Sequence, residues 1–316
     1  MEDYPTEEAS VRYLSSDEAL QSLDRNLYWP KWNSPWWHMS LVHELRKTKR
    51  IPKEIVAKMV EKLSEMPQIV FPVHGKGSVT DPYACHCMVG NMFQILWAWG
   101  VNVDEELPWM RPFLLNYQME DGGLSCDHEA YAVTEECPSS MVGTIAVFEA
   151  LLHCVSRPHT AEERQFLDNA ANFLIERQLV LGSSSSFNAE EGESAKAWGD
   201  LCFPRFYFYD HLRGLRALLQ WAETFNKTIP LSVVEGVSSS ILDKCPDGQI
   251  VLGRQSFVGR KTKYITDDGE WKKTDAISFE LLDALSQVGT VCPTLSAQWI
   301  EVQESINRLR ASSQVA

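Results

Sequence analysis

The sequence predicts an all-α fold, an α/α toroid of about five to six helix pairs whose inner helices line a central cavity. Three observations carry that prediction. First, stretches that are apolar nearly all round alternate five times with stretches that are apolar on one face. A helix apolar on every side must be buried, and a one-sided helix lies against the surface, so the alternation reads as inner and outer helices. Second, sharp glycine turns join these stretches. The clearest is Gln118-Met119-Glu120-Asp121-Gly122-Gly123, followed by a weaker copy at Lys244-Cys245-Pro246-Asp247-Gly248 and a degenerate one at Arg177 to Ser183. Glycine reaches positive φ without a Cβ clash, so Asp-Gly-Gly turns the chain sharply, and its recurrence between helices marks a repeat. Third, almost nothing reads as strand. The spacing of the inner helices is too uneven for an open array of identical units, whereas a closed ring hides the terminal faces that an open array must cap.

Taken in order, residues 1–15 read as a solvated lead-in, and residues 16–316 form a single domain. Ser16 suits the N-cap of a short helix through about Leu27. Tyr28 to Trp37 is an aromatic connection broken by Pro30 and Pro35, and Pro35 suits the first position of the first inner helix. Its outer partner runs from Pro52 to about Met66. Pro67 to Pro82 reads as a loop. The second inner helix starts near residue 84 and ends at Gly100, with Glu105 to Gln118 outside it. Pro138-Ser139-Ser140 opens the third inner helix, and Thr160-Ala161-Glu162-Glu163 has the form of a capping box at the start of its outer partner. Ser183 to Ala197 reads as a polar loop. The fourth inner helix is placed from about Arg205 to Phe225, with Pro230 to Lys244 outside it. Gln249 to Lys273 is irregular with room for short strands, and helices from Asp275 and Pro293 make the last pair. That totals eleven helices.

Composition narrows the function classes. With 44% hydrophobic and 23% charged residues, the 316-residue chain has the balance of a globular protein. The net charge of −14 comes without any basic stripe, which argues against nucleic acid as a partner. No apolar run approaches the roughly 20 residues of a transmembrane helix. The acidic start Met1-Glu2-Asp3 lacks the form of a signal peptide. The expected location is therefore cytoplasmic, with most of the eight cysteines as free thiols.

The Gln-x-x-Asp-Gly-Gly turns between paired helices resemble the repeat of the terpene cyclase and protein prenyltransferase toroids. The stretch Phe203-Pro204-Arg205-Phe206-Tyr207-Phe208-Tyr209-Asp210-His211-Leu212-Arg213 is similar to bacterial prenyltransferase and squalene-oxidase repeat proteins. The resemblance spans about residues 35 to 290. It implies the toroid and, for function, an enzyme or binder acting on an apolar, isoprenoid-like small molecule. The chain departs from the catalytic motifs of both branches. The Asp-x-Asp-Asp of the cyclases has only Asp267-Asp268 to match it, in a turn-like setting. The Asp-x-Cys zinc pair of the prenyltransferases is matched by Asp200-Leu201-Cys202, but no later histidine follows His211.

Candidate sites follow from residue chemistry. Cys85-His86-Cys87 is the densest group of soft metal ligands and sits at the start of a buried helix, where the helix dipole lowers thiol pKa values. Cys126, just after the Asp-Gly-Gly turn, is the natural distant partner, and thiolates with imidazole suit zinc. Cys-His at an inner-helix start also resembles the zinc site of the lanthionine synthetase cyclases, another toroid. The competing reading is that these are small buried residues, since free cysteine is among the most buried types. Asp127, Asp200 and Asp210 are candidate acids or bases. Arg205, Tyr207, His211, Trp198, Trp97 and Phe206 are candidate substrate contacts, with Arg205 set to hold an anionic head group. A structural ion pair is the alternative for the charged residues between 200 and 213, and plain core is the alternative for the aromatics. Besides the isoprenoid reading, three others stay open: a zinc-thiolate enzyme, a carbohydrate-active α/α barrel using paired carboxylates, and a non-catalytic scaffold.

Overall fold

The computed structural model describes residues 5–66, 85–257, 261–266 and 268–315. The expected loop from Pro67 to Pro82, the first residues of the second inner helix, and Asp267 lie outside them. The described chain is mostly helical, with fourteen α-helices and one two-stranded hairpin. None of the described helices is long and apolar enough to cross a membrane.

The helices fall close to where the sequence puts them. At the positions expected for inner helices stand α3 (Pro35–Glu44), α5 (His86–Trp99), α8 (Met141–His153), α11 (His211–Phe225) and the short α13 (Glu280–Leu285), the last buried only at Leu281 and Leu282. At the positions expected for outer helices stand α4 (Lys53–Ser64), α7 (Met110–Leu115), α9 (Ala161–Glu176), α12 (Leu231–Lys244) and α14 (Pro293–Ala311). Four of the first set touch in sequence: α3 packs on α5, α5 most closely on α8, and α8 on α11; α11 also packs on α14. Start signals hold where they are strong. Ser16 caps α2 (Asp17–Arg25) by accepting from the Ala19 amide, and both halves of the Thr160–Glu163 capping box form. Gly100, at φ 111°, ends α5.

The repeated turn has one geometry in two places. Asp121 Oδ1 accepts from the Gly123 amide at 3.0 Å, and Asp247 Oδ1 accepts from the Gln249 amide at the same distance. Gly122 and Gly248 take φ 86° and 75°. After each turn a short bridge ties the chain to the start of a later helix, Leu124 to Ser140 before α8 and Val251 to Val291 before α14.

Several expectations need correcting. The lead-in is a helix, α1 (Pro5–Leu14), packed on α3 and α13. Leu14 is fully buried, and so is Glu7, which pairs with Lys47 at 2.6 Å and with Arg50. Leu107 and Pro108 split the expected helix from 105 to 118 into α6 (Val103–Glu106) and α7. The polar loop after Ser183 holds α10 (Ala189–Ala195). The room left for short strands between Gln249 and Lys273 is taken by β1 (Lys261–Ile265) and β2 (Trp271–Asp275), which pair antiparallel and run two residues beyond that range. The fourth inner helix begins at His211 rather than 205. Phe206 stands at φ 54°, and Asp210 is an extended N-cap that accepts from the Arg213 amide, so residues 201–210 form a loop.

That loop is buried: Leu201, Cys202, Phe203, Phe206 and Tyr209 are all under 5% exposed. A buried loop must find partners for its own peptide groups. Glu44 takes the Arg205 and Phe206 amides at 2.7 and 2.6 Å. Arg213 donates to the Phe206 and Phe208 carbonyls at 3.2 and 2.8 Å, and Asn91 adds a bond to the Phe206 carbonyl. Arg254 donates to the Asp200 and Tyr209 carbonyls. The polar groups around 205–213 are thus the means by which an irregular segment is kept inside the protein.

A three-cysteine candidate metal centre

Cys85 is the N-cap of α5, and Cys87 lies in the helix's first turn. Cys126 arrives from the Asp121-Gly122-Gly123 turn, 39 residues further along. Gly122 and Gly123 make that delivery possible. A Cβ at 122 would meet the Asn169 carbonyl oxygen at 2.3 Å, and one at 123 would meet Phe173 and Ser139 at 2.7 Å. The next residues are fastened to α8 and α5. Leu124 donates to Thr144 Oγ1, its carbonyl accepts from Ser140, and the Ser125 carbonyl accepts from His86 Nδ1 at 2.8 Å.

The result is three sulfurs within 4.8 Å of one another, the one such group of potential metal ligands among the described residues. Cys85 Sγ and Cys87 Sγ are 3.3 Å apart, and the Cys87 amide donates to Cys126 Sγ at 3.4 Å. Hydrogen bonds from Cys126 and Cys87, together with the Met88 amide, hold the Cys85 thiol well below its ordinary pKa. Cys87 is eased down by Cys126, but the bond it gives to Cys85 and its burial leave it well above the usual thiol range. Cys126 is pushed up in turn by its bonds to Cys85 and Cys87 and by burial.

His86 does not join them. Its ring is turned away, stacked on Phe113 with centroids 4.8 Å apart and bonded to Ser125. Burial lowers its pKa to about 4, so the imidazole is neutral and works as a stitch between α5 and the Cys126 segment. Asp200, Cys202 and His211 do not converge either. Asp200 is nearly half exposed and paired with Lys244 at 2.6 Å, while burial pushes the Cys202 thiol up to about 12.

The expected acids are not gathered at one place. Asp127 is exposed and caps a short 3-10 turn by accepting from the Glu129 amide. Asp210 is fully buried and locked to Arg205 at 2.6 and 3.2 Å. Arg205 is engaged by that pair and by Gln298 at 2.6 Å, and it also lines a cavity described below. Trp198 packs edge-on to Tyr209, Phe206 packs edge-on to Trp37, and Trp97 is half-buried on α5, so these aromatics belong to different parts of the core. His211, at the first position of α11, is buried, and burial lowers its pKa.

Tyr207 is the exception. Its hydroxyl accepts from Lys31 Nζ at 3.2 Å, and the Lys31 ammonium sits 5.0 to 5.6 Å from the ring centres of Tyr207, Trp29 and Tyr28. Burial lowers the Lys31 pKa and the three thiols raise it, so the ammonium and the sulfurs share one electrostatic neighbourhood. Sequence reasoning missed Lys31, although a lone lysine inside an aromatic run (Tyr28-Trp29-Pro30-Lys31-Trp32) was a readable signal.

A second feature lies toward the other end of α5. A cavity of about 610 Å³ is lined by Asn91, Gln94, Ile95 and Ala98 of that helix, by residues 46–50 after α3, and by α8, α11 and α14. Seven of its lining residues are Lys or Arg, against two carboxylates, Glu44 and Glu149. Both carboxylates are engaged, Glu44 by the loop amides and Glu149 by Arg213 at 2.7 to 3.2 Å. No protein-family model, no curated protein and no solved structure matches this chain.

Proposed function

We propose that Cys85, Cys87 and Cys126 hold a thiophilic metal ion, zinc before others, and that its remaining position takes a substrate thiol. The observation that carries this is the convergence of three sulfurs from two distant segments within 4.8 Å. In tetrahedral zinc with Zn–S near 2.3 Å, ligand sulfurs stand about 3.8 Å apart, a spacing the three cysteines can reach by small side-chain adjustments. An all-sulfur donor set favours soft ions over magnesium or calcium. Three protein ligands are the pattern of a catalytic site, whereas structural zinc is closed by four. A bound metal would hold all three cysteines as thiolates, and it would acidify a substrate thiol at its remaining position toward the nucleophilic thiolate. Three thiolates on a dication leave one negative charge, and Lys31 is placed to offset it.

The same reading takes the chain as an α/α toroid of the terpene cyclase and prenyltransferase kind. The sequential packing of α3, α5, α8 and α11 and the repeated Asp-Gly turns support it. The rings of Tyr28, Trp29 and Tyr207 surround Lys31, and Tyr28 and Tyr207 lie within electrostatic reach of the sulfurs; these aromatics favour an apolar, isoprenoid-like electrophile as the thiol's reaction partner. A reducing cytoplasm suits a site of this type, and all eight cysteines stand as free thiols. The carbohydrate-active reading has less behind it, because both cavity carboxylates are engaged in holding the loop and Arg213.

Elemental analysis of the purified protein tests the metal. About one zinc per chain is expected, retained through dialysis and lost in Cys85→Ser, Cys87→Ser and Cys126→Ser. Protein that carries no metal and takes none up when zinc is supplied under reducing conditions would remove this proposal.

A further inference from the structure

The 610 Å³ cavity stands apart from the cysteines and does not depend on the metal reading. Its charge runs against that of the molecule: the chain carries −14 overall, yet seven cations and two carboxylates line this space. Most of those cations already have work. Arg205 holds Asp210, Arg213 holds Glu149, Lys47 and Arg50 hold Glu7, and Arg46 holds Glu301. Two have no such partner. Arg216 comes no closer than 3.7 Å to a carboxylate oxygen, that of Glu301, which Arg46 already occupies at 2.6 Å. Its Nε is buried without a hydrogen-bond partner among the described residues. Lys49 donates to the Trp99 carbonyl and lies over the Trp99 ring, with no described carboxylate paired to it.

Helix C-termini attract cations, and this accounts for part of the charge between residues 46 and 50, which follow the end of α3. It does not account for Arg216, which sits mid-helix in α11. Burial lowers the Arg216 pKa, and the neighbouring Arg205 and Arg46 add to that effect against Glu149 and Glu301, as befits a site short of negative charge. A guanidinium with unspent donors, an ammonium and a walled space focus field lines on a small anion. The volume falls in the range of small-molecule sites, about 300–1,000 Å³.

We propose that this cavity binds a small polyanion, a phosphorylated compound or a polycarboxylate, and that Arg216 and Lys49 supply the charge that recognises it. Calorimetric titration of the full-length protein with inorganic pyrophosphate, and separately with citrate, at constant ionic strength tests this. One anion per chain is expected. Arg216→Gln and Lys49→Gln should each weaken binding by at least about tenfold, the worth of one charge-assisted hydrogen bond. Cys85→Ser should leave the affinity unchanged. Preference for pyrophosphate or for citrate tells phosphate from carboxylate recognition, and either supports the proposal. It is overturned if neither anion binds at millimolar concentration, or if affinity survives intact in both cavity variants. Loss of binding in Cys85→Ser with the cavity variants unaffected would also overturn it, since the anion would then sit on a cysteine-bound metal. Melting temperatures of the unliganded variants control for folding, and Lys49→Gln, at the surface end of the cavity, decides if Arg216→Gln does not fold.

Discussion

At its first turn α5 presents sulfurs to one another; along its second half it faces a cavity crowded with cations. The buried groups near that cavity are mostly occupied. Glu44, Asn91 and Arg213 each hold a peptide group of the 201–210 loop, and Arg205, Asp210 and Glu149 complete the ion pairs around it. The cysteines hold little of the backbone. Their interactions are mainly with each other, and the segments that carry them are positioned by other residues, His86, Thr144 and the two turn glycines. The comparison teaches that a dense cluster of buried charge marks an architectural task here, while chemistry is better sought where reactive side chains converge without a structural duty. Arg216 and Lys49 fit that rule from within the charged region.

The comparison breaks most readily at Arg213. Arg213→Ala would strand Glu149 and leave the Phe206 and Phe208 carbonyls short of a donor, so a loss of about 3–5 kcal/mol is expected in chemical denaturation. A loss below about 1 kcal/mol would mean that the buried network is not structural. Next comes thiol reactivity. In metal-free protein, Cys85 should be alkylated by iodoacetamide at pH values below the ordinary thiol range, while Cys154 and Cys202, which burial pushes up to about 12, stay untouched. Removing its donors in Cys87→Ala or Cys126→Ala should shift the Cys85 reaction to higher pH; peptide mapping that finds Cys85 reacting in step with the other cysteines would contradict a lowered Cys85 pKa. The smallest effect is expected at a helix cap away from both regions. Burial raises the Glu163 carboxyl, but hydrogen bonds from Arg157 and the Thr160 amide, with Arg111 beside them, bring it down to about 2. A carboxyl whose folded pKa lies below its unfolded value of 4.5 contributes fully above that pH and loses its contribution as pH falls through about 2. The melting temperature should therefore drop between pH 4.5 and 2 by an amount that Glu163→Gln reduces; an identical acid profile in the variant would show that the cap carries none of it.

The helix pairs were legible because burial writes itself into periodicity. Met141 to Cys154 is apolar on every side and duly becomes a core helix, and Thr160 with Glu163 announces its outer partner. The helix expected to start near residue 84 and to stop at Gly100 runs from His86 and has Gly100 as its cap. What failed is where tertiary partners override local pattern. Phe203 to Asp210 carries the apolar content of an inner helix, but Glu44, far away in sequence, draws off its amides. Pro5 to Leu14 looks solvated because its acids are conspicuous, yet Glu7 turns inward to Lys47 and Arg50. The convergence of Cys126 on Cys85 and Cys87 was readable from the Asp-Gly-Gly turn, whereas the exclusion of His86 was not, since it depends on which way one ring faces. Of the cavity cations only Arg205 stood out, because the others come from residues 46–50 and from α11, and nothing in the sequence brings those two segments together.

Gly90 lets α5 lie backbone to backbone on α8; a Cβ there would meet the Ala146 carbonyl carbon and oxygen at 2.8 Å and the Val147 nitrogen at 2.9 Å. The helix is fourteen residues long, about 20 Å, and this contact falls within its first half. It acts as a dowel hole: the close fit of the two backbones sets the spacing of α5 and α8 at that point. The sulfurs at one end and the cavity wall at the other are therefore indexed to the same point, and a side chain at position 90 would put both out of alignment at once.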